Sequence, residues 1–569
     1  MTETAVKTNP LRDSLHASGF IYGAEVVTTR GYPKPDETLP AVKLAETLAA
    51  DPRISWISVT DNPGGAPMLP PDWLAGKLAD KDCPLVLHLA CKDYNRTGLE
   101  SAAWRYAAEG CDSILALTGD IPTTGFGGLT QTVFDLDSVG LVTLLQAMND
   151  GMIVQGPRGR METLPQTNFF IGCAASPFKR YERELIPQYM KMLLKIRAGA
   201  RWILPQLGYD MRKFHELKLL LDSLGTDSPA IKARKGARKG VRHLLPERPE
   251  GCFAQKVPDP FSLAAPSNIP IIGNVYLLTK GVAKVFNSGR LAGCVVTDEL
   301  VAVAEKQAAS PDKGRSFFRE FAAKQLAVFK GLGFAAGYIG GISKPDTFFE
   351  IIDKAESFGE DDWRDFLPEI CYSQPDEFFL FDHDEKTGLA TPDQLTPEYA
   401  SAKKRGRSPV MYKISRKVHG LAFKRDKGLY GIAKKLYSRW DKKPKPTLAS
   451  RFMYLCERLS KETLYGCHDC GDCSLPDIAY LCPLESCAKN QRNGPCGGSA
   501  SGRCETDDKD CIWARAYSRL QAYGETDSLL EEDVVIQDPG LESTSSWANL
   551  YLDRDHHKPK NEDESEKKE

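Results

Sequence analysis

The sequence predicts an α/β protein built as a (β/α)8 TIM barrel, followed by a helical connector and a small cysteine-rich metal-binding domain. Three observations carry this. Up to residue 345, eight short β-rich apolar runs alternate with helical patterns, the signature of parallel strands joined by crossover helices. At 569 residues the chain exceeds what one hydrophobic core supports, so it divides into domains. Half of its 16 cysteines fall after residue 460, seven of them within 38 residues.

The eight runs begin near Tyr22 (YGAEVV), Ser55 (SWISVT), Leu85 (LVLHLAC), Ser113 (SILALTGD), Phe169 (FFIGCAA), Arg201 (RWILPQ), Ile269 (IPIIGNVY) and Ala335 (AAGYIGG). Eight strands in one series close into a barrel whose active site lies at their carboxyl ends; an open doubly wound sheet is the alternative. Between the runs, Leu99 to Gly110 and Leu185 to Gly199 carry apolar residues at helical spacing and stop at a glycine. The barrel is therefore placed at residues 1–345. Within it, KARKGARKGVRH (Lys232 to His243) is too polar and glycine-rich to be core, and reads as a solvated loop or a grip for a phosphate or a partner. Residues 346–445 turn aromatic and charged and read as helical connecting structure. A cysteine-rich domain at 446–536 follows. The last segment, 537–569, is polar and ends RDHHKPKNEDESEKKE, which predicts disorder.

Hydrophobic residues at 42% and charged residues at 26% are those of an ordinary globular protein. A formal net charge of −2 supplies no global field for nucleic acid or anionic lipid. A nucleic-acid role would need a local patch such as Lys403 to Lys427, and basic runs are usually solvated faces. The N-terminus lacks an apolar core of signal-peptide length, and no later stretch is apolar for the roughly 18 residues a membrane span requires. The expectation is a cytoplasmic protein without nucleic-acid or membrane partners, whose thiols stay reduced and serve as buried hydrophobes or metal ligands.

The cysteines after residue 460 suit the second role. Cys467, Cys470 and Cys473 open a C-x-x-C-x-x-C run, and Cys482-Pro483, Cys487, Cys496 and Cys504 follow. Three close thiolates and a later one before proline match the ferredoxin pattern, with a longer gap. Zinc would take four of the seven and leave three, whereas one or two iron–sulfur clusters of the 4Fe–4S kind would employ more, with Cys511 or His468 as further candidates. Scattered cysteines such as Cys83, Cys111 and Cys294 read as packing.

Polar residues close several predicted strands: Glu25, Thr60, His88, Asp120 and Gln206. Each alone has a structural explanation, as a rim ion pair, a strand-end hydroxyl, a core histidine, a helix cap and a buried amide. Five at equivalent strand ends converge on a site. With the blocks around them, SVT (Ser58 to Thr60), HLACKD (His88 to Asp93), ALTGDIP (Ala116 to Pro122), FDLDS (Phe134 to Ser138) and RAGARWILPQLGYD (Arg197 to Asp210), the chain resembles the methylenetetrahydrofolate reductase family over roughly residues 15–345. CHDCGDCSLPDIAYLCPLESCAKNQRNGPCGG is similar to the cysteine-rich domain that accompanies this reductase in some bacteria. The family pattern is interrupted at Val26 to Thr29, where aromatics and prolines are usual, at Thr118, where arginine is, and at Leu207 and Gly208, where aromatics are.

The resemblance implies a flavin enzyme, with FAD or alternatively FMN, that interconverts methylene- and methyl-tetrahydrofolate. It implies Glu25 as general acid and Asp120 as the carboxylate beside the flavin. Thr60, His88, Gly119, Asp120, Lys195, Asp137 and Ser138 become cofactor contacts and Gln206 a substrate contact. The implied partners are the tetrahydrofolate substrate, NAD(P)H or a redox partner protein, and a second copy in a homo-oligomer. A subunit of a methyl- or electron-transfer complex is the alternative function.

Overall fold

The computed structural model describes residues 8–559 apart from 35–36, 123, 225–268, 401–405, 407, 507 and 532. The basic insert at 232–243 lies outside the described residues. All eight predicted runs form strands: β1 (Ile21–Val26), β2 (Trp56–Val59), β3 (Leu85–Ala90), β4 (Ser113–Leu117), β5 (Phe170–Ala175), β6 (Trp202–Pro205), β7 (Ile272–Tyr276) and β8 (Ala336–Gly340). Neighbours pair in parallel from β1 to β6 in order, β8 joins β1 to β7, and a parallel bridge from Ile203 to Ile271 closes β6 on β7. The sheet is thus a barrel, not an open doubly wound sheet.

The strands read as apolar runs because both faces are buried, one against the helices and one in the barrel interior. Inside, Trp56, Val86, Leu115, Phe170, Trp202, Ile272, Ala336 and Tyr338 pack together, and Leu11 and Leu15 of the helix Pro10–His16 join them. Glycines on neighbouring strands make room for the two indoles: a Cβ at Gly23 would lie 2.0 Å from the Trp56 ring, and one at Gly172 2.1 Å from Trp202.

One boundary and one segment differ from expectation. Helix Pro345–Glu356 packs on the barrel helix Arg315–Gly331, so the barrel runs past residue 345. The connector is not wholly helical either, since Phe381–His383 and Ala390–Leu395 form an antiparallel hairpin before helices Val410–Ala422 and Gly428–Asp441. Its carboxylate anchor is Glu216, buried in the barrel helix Met211–Leu224, which accepts a hydrogen bond from the Phe381 backbone N–H at 3.2 Å.

The expected disorder of 537–569 is corrected over its described part, 537–559. Polar composition hides two anchors there: Trp547 and Tyr551 of the helix Ser546–Tyr551 pack with Phe423, Tyr430 and Tyr437 of the connector. Beneath them Glu457 accepts hydrogen bonds from Ser545 at 2.5 Å and Ser546 at 2.7 Å. No helix among the described residues is long and apolar enough to cross a membrane.

Candidate active site and metal centres

The carboxyl ends of the strands surround an open cavity of about 500 Å³. Glu25, Thr60, His88, Gly119, Asp120, Ser138, Lys195 and Gln206 all line it. Glu25 stands at the end of β1. Tyr338 on the adjoining β8 donates to its Oε2 at 3.0 Å, and burial raises the Glu25 carboxyl against the hydrogen bonds from Tyr338 and the Gly341 backbone. Gly340 must lack a side chain, because a Cβ there would sit 2.9 Å from Glu25 Oε1.

Behind this pair, Ser58 bonds Tyr338 and its Oγ lies 2.8 Å from His88 Nε2. With the Nε2–H tautomer of His88, every link donates toward Glu25. Burial holds His88 neutral by pulling its pKa down to about 4. A histidine depressed in the fold contributes stability above its unfolded pKa near 6.5 and loses it as pH falls to about 4. The loss is on the order of 3 kcal/mol for such a shift. His215 and His419 are depressed to a similar level by burial, so a His88→Gln variant is expected to remove only one step of the acid destabilisation. Denaturant titrations at pH 7 and pH 4.5 check this, and an unchanged difference between the two would refute it.

The remaining contacts follow from strand and helix positions. Lys195, on helix Glu182–Ala198, is buried rather than solvated: its Nζ donates to Ala174 O at 2.8 Å, and burial lowers its pKa to about 8. Gln206 closes β6 and turns its Oε1 back to its own chain, 3.0 Å from the Leu207 N–H. Gly119 adopts φ +88°, where a Cβ would strike Lys92. Asp137 does not line the cavity. It caps helix Ser138–Asp150 through the N–H groups of Val139 and Gly140, pairs with Lys191 at 3.7 Å, and otherwise faces the cysteine domain. Residues passed over at the sequence level also line the wall, among them Tyr338 and Asp61. Burial pushes the Asp61 carboxyl up to about 6, and the Ala90 N–H donates to it at 3.0 Å. Strand alternation places Ser58 beside Thr60, and that was the one available sequence signal for the relay.

The roof of the cavity comes from the cysteine domain. Lys489, Cys496, Gly497, Gly498 and Glu505 line it together with the strand ends. Lys489 donates to Gly119 O at 3.0 Å and pairs with Glu505 at 2.6 Å. Two buried barrel lysines hold the same segment: Lys179 donates to Gly497 O at 2.5 Å, and Lys191 to Gln491 Oε1 at 2.6 Å and Gly494 O at 3.0 Å. Asp137 completes the dock, accepting from the Asn493 backbone N–H at 2.9 Å and its Nδ2 at 3.1 Å.

The seven cysteines do not form one site. Cys467, Cys470, Cys473 and Cys482 surround a small cavity beside Lys461 and Arg492. In a second group Cys487 interacts with Cys496, Cys504 and Cys511. Cys511, a further candidate in the sequence, thus makes two sets of four; it stands seven residues beyond Cys504. His468 instead faces Glu485 at 3.2 Å. Among the described residues, no three of these sulfurs lie all within 4.8 Å of one another. Zn–S bonds of about 2.3 Å in a tetrahedron would bring them to roughly 3.8 Å.

Two family models match the chain: methylenetetrahydrofolate reductase over residues 12–233, and methylene-tetrahydrofolate reductase C terminal over residues 447–538. No curated protein matches it. Solved structures similar to it include an uncharacterized protein from Clostridium thermocellum described as binding two copies of 5-methyl-5,6,7,8-tetrahydrofolic acid. That protein has 12% identity over 61% of this chain and 98% of its own, at a TM-score of 0.37. A phosphoenolpyruvate phosphomutase from Streptomyces platensis subsp. rosaceus has 13% identity over 52% and 83%, at 0.24. Likenesses at these scores carry no argument.

Proposed function

Because the chain joins a methylenetetrahydrofolate reductase domain to that reductase's C-terminal domain on one polypeptide, we propose that it is a flavin-dependent oxidoreductase interconverting 5,10-methylenetetrahydrofolate and 5-methyltetrahydrofolate. The observation that carries the reading is Glu25: a half-buried carboxyl whose pKa is raised by desolvation, on the wall of a cavity at the carboxyl ends of the barrel strands. Opening the methylene bridge requires a proton at a folate nitrogen, and a carboxyl whose pKa burial raises is suited to deliver one.

The cavity suits a flavin. Thr60 Oγ1 and Gln188 Nε2 are buried in its wall without a hydrogen-bond partner, and groups left this way in a native fold call for a ligand or water. When bound, the flavin supplies hydride at its N5. Thr60, His88, Gly119 and Lys195 would hold it, with Ser138 behind. Asp120 would place a negative charge beside it, favouring the cationic form of the opened folate, and Gln206 would contact the substrate.

The cysteine domain fits a role in supplying electrons. Cys496, of the second group of four, is itself part of the cavity wall, and eight thiolates in two sets of four suit iron–sulfur clusters better than a lone zinc ion. One observation favours a redox partner protein over direct use of NAD(P)H. Cys473 of the outer group lines an apolar groove with Ile414, Val418 and Leu464, whose side chains are exposed.

An anaerobic absorption spectrum with iron and sulfide analysis tests both halves. Cys482→Ser and Cys511→Ser are each expected to lower iron content by about half. A colourless protein that takes up no flavin would overturn the assignment; a yellow one without iron would leave the flavin and remove the electron route.

A further inference from the structure

Beside the first cysteine group, the C-terminal segment folds back onto the loop between Cys470 and Cys482. His556 Nε2 lies 2.9 Å from Asp477 Oδ2, and His557 Nε2 lies 2.8 Å from Asp477 Oδ1. On the far side of each ring stands another carboxylate: Asp472 bonds His556 Nδ1, and Asp555 Oδ2 is 3.4 Å from His557 Nδ1. Asp472, Asp477 and Asp555 are all buried, and the two rings are 3.9 Å apart.

This arrangement poses a charge problem. A neutral imidazole has one N–H and one lone pair, yet all four ring nitrogens face carboxylate oxygens. Each ring therefore sets one lone pair against another unless a positive centre lies between them. Two extra protons would serve, at the cost of two imidazolium rings stacked in a buried site. One divalent cation replaces both protons. It would sit among His556 Nε2, His557 Nε2 and Asp477, whose ligand atoms all lie within 4.8 Å of one another.

We propose that Asp477, His556 and His557 bind a divalent transition-metal ion of the zinc class. Two imidazoles and a carboxylate are a donor set suited to that ion. Bonds of about 2.0–2.1 Å meeting near a right angle separate two ligands by about 3 Å, so the present spacings admit the ion with little movement. Asp472 and Asp555 then take the outer positions, accepting the Nδ1–H of each ligand, fixing its tautomer and raising its basicity. Both histidines lie beyond the stretch matched by the C-terminal family model. Bound there, the ion would pin the end of the chain to the loop carrying the first thiolate group.

The test is elemental analysis of the full chain, equilibrated with a small excess of zinc and desalted. The double variant His556→Gln/His557→Gln is expected to hold one divalent ion fewer per chain than the wild type, whatever the cysteines hold, with iron content unchanged. Asp477→Asn, which keeps the shape of the side chain, is the second variant, should the first fail to fold. It is expected to release the ion at chelator concentrations at least tenfold lower. Equal metal content in the wild type and a folded double variant, or release from Asp477→Asn only at the wild-type chelator concentration, would overturn the proposal and leave a doubly protonated histidine pair in its place.

Discussion

Glu25→Gln is expected to lower folate turnover by two orders of magnitude or more while leaving reduction of the bound flavin by its electron donor nearly unchanged. The asymmetry follows from geometry. The substitution keeps the side chain's size and its contact with Tyr338, and removes only the proton that the carboxyl can deliver, a role typically worth 10²- to 10⁴-fold. In the wild type the proton is present below the raised pKa of Glu25, so folate turnover falls as pH rises through that value. The variant's residual rate should lack that limb. Stopped-flow measurement of the two half-reactions separates the possibilities. Loss of both would mean that Glu25 shapes the cavity and transfers no proton, and retention of both would place the acid elsewhere, with Asp61 the next group on the wall.

Lys191→Met is expected to uncouple the cysteine domain from the barrel. The methionine replaces the aliphatic stem but forfeits hydrogen bonds at 2.6 Å and 3.0 Å to the roof segment, together with the ion pair at 3.7 Å to Asp137. Both members of that pair are buried. Removing one partner of a buried pair typically costs about 3–5 kcal/mol, because the other charge remains uncompensated. In calorimetry the variant should show separate transitions for the two domains in place of a coupled one, with faster proteolysis after residue 440. A melting profile identical to the wild type would mean that Lys179 and Lys489 suffice to hold the roof. A double variant with Asp137→Asn distinguishes the lost charge from the lost bonds: if the uncompensated carboxylate dominates, the second change restores part of the stability.

Much of the barrel is legible in the sequence because its signals are local. Each strand is a short apolar run bounded by polar residues, and Glu25, Thr60, His88 and Gln206 are recognisable because they end such runs. What escaped depends on distant partners. Lys195 is named only through the family resemblance, since like Lys191 it sits in a helix where a lysine is ordinarily solvated, and only the fold buries it. Asp137 carries the same FDLDS block whether it faces a cofactor or a neighbouring domain; the roof segment, 356 residues further along the chain, decides. Tyr338 looks like a core aromatic until β8 closes beside β1. Cys511, outside the dense run, could be named only as a further candidate beside His468, and Trp547 and Tyr551 are too few to lift the composition of a polar tail.

Placing the roof and the barrel on one chain has a kinetic meaning. When two proteins must meet, the rate of their encounter falls with dilution. Here the segment from Lys489 to Gly498 reaches the cavity from the same polypeptide that builds its floor, so the encounter is unimolecular, and tethering of this kind corresponds to a local concentration on the order of millimolar. On the proposed electron route, exchange between the cavity and the cysteine domain should therefore proceed at the same rate in a nanomolar solution as in a concentrated one, leaving only an external donor to feel dilution.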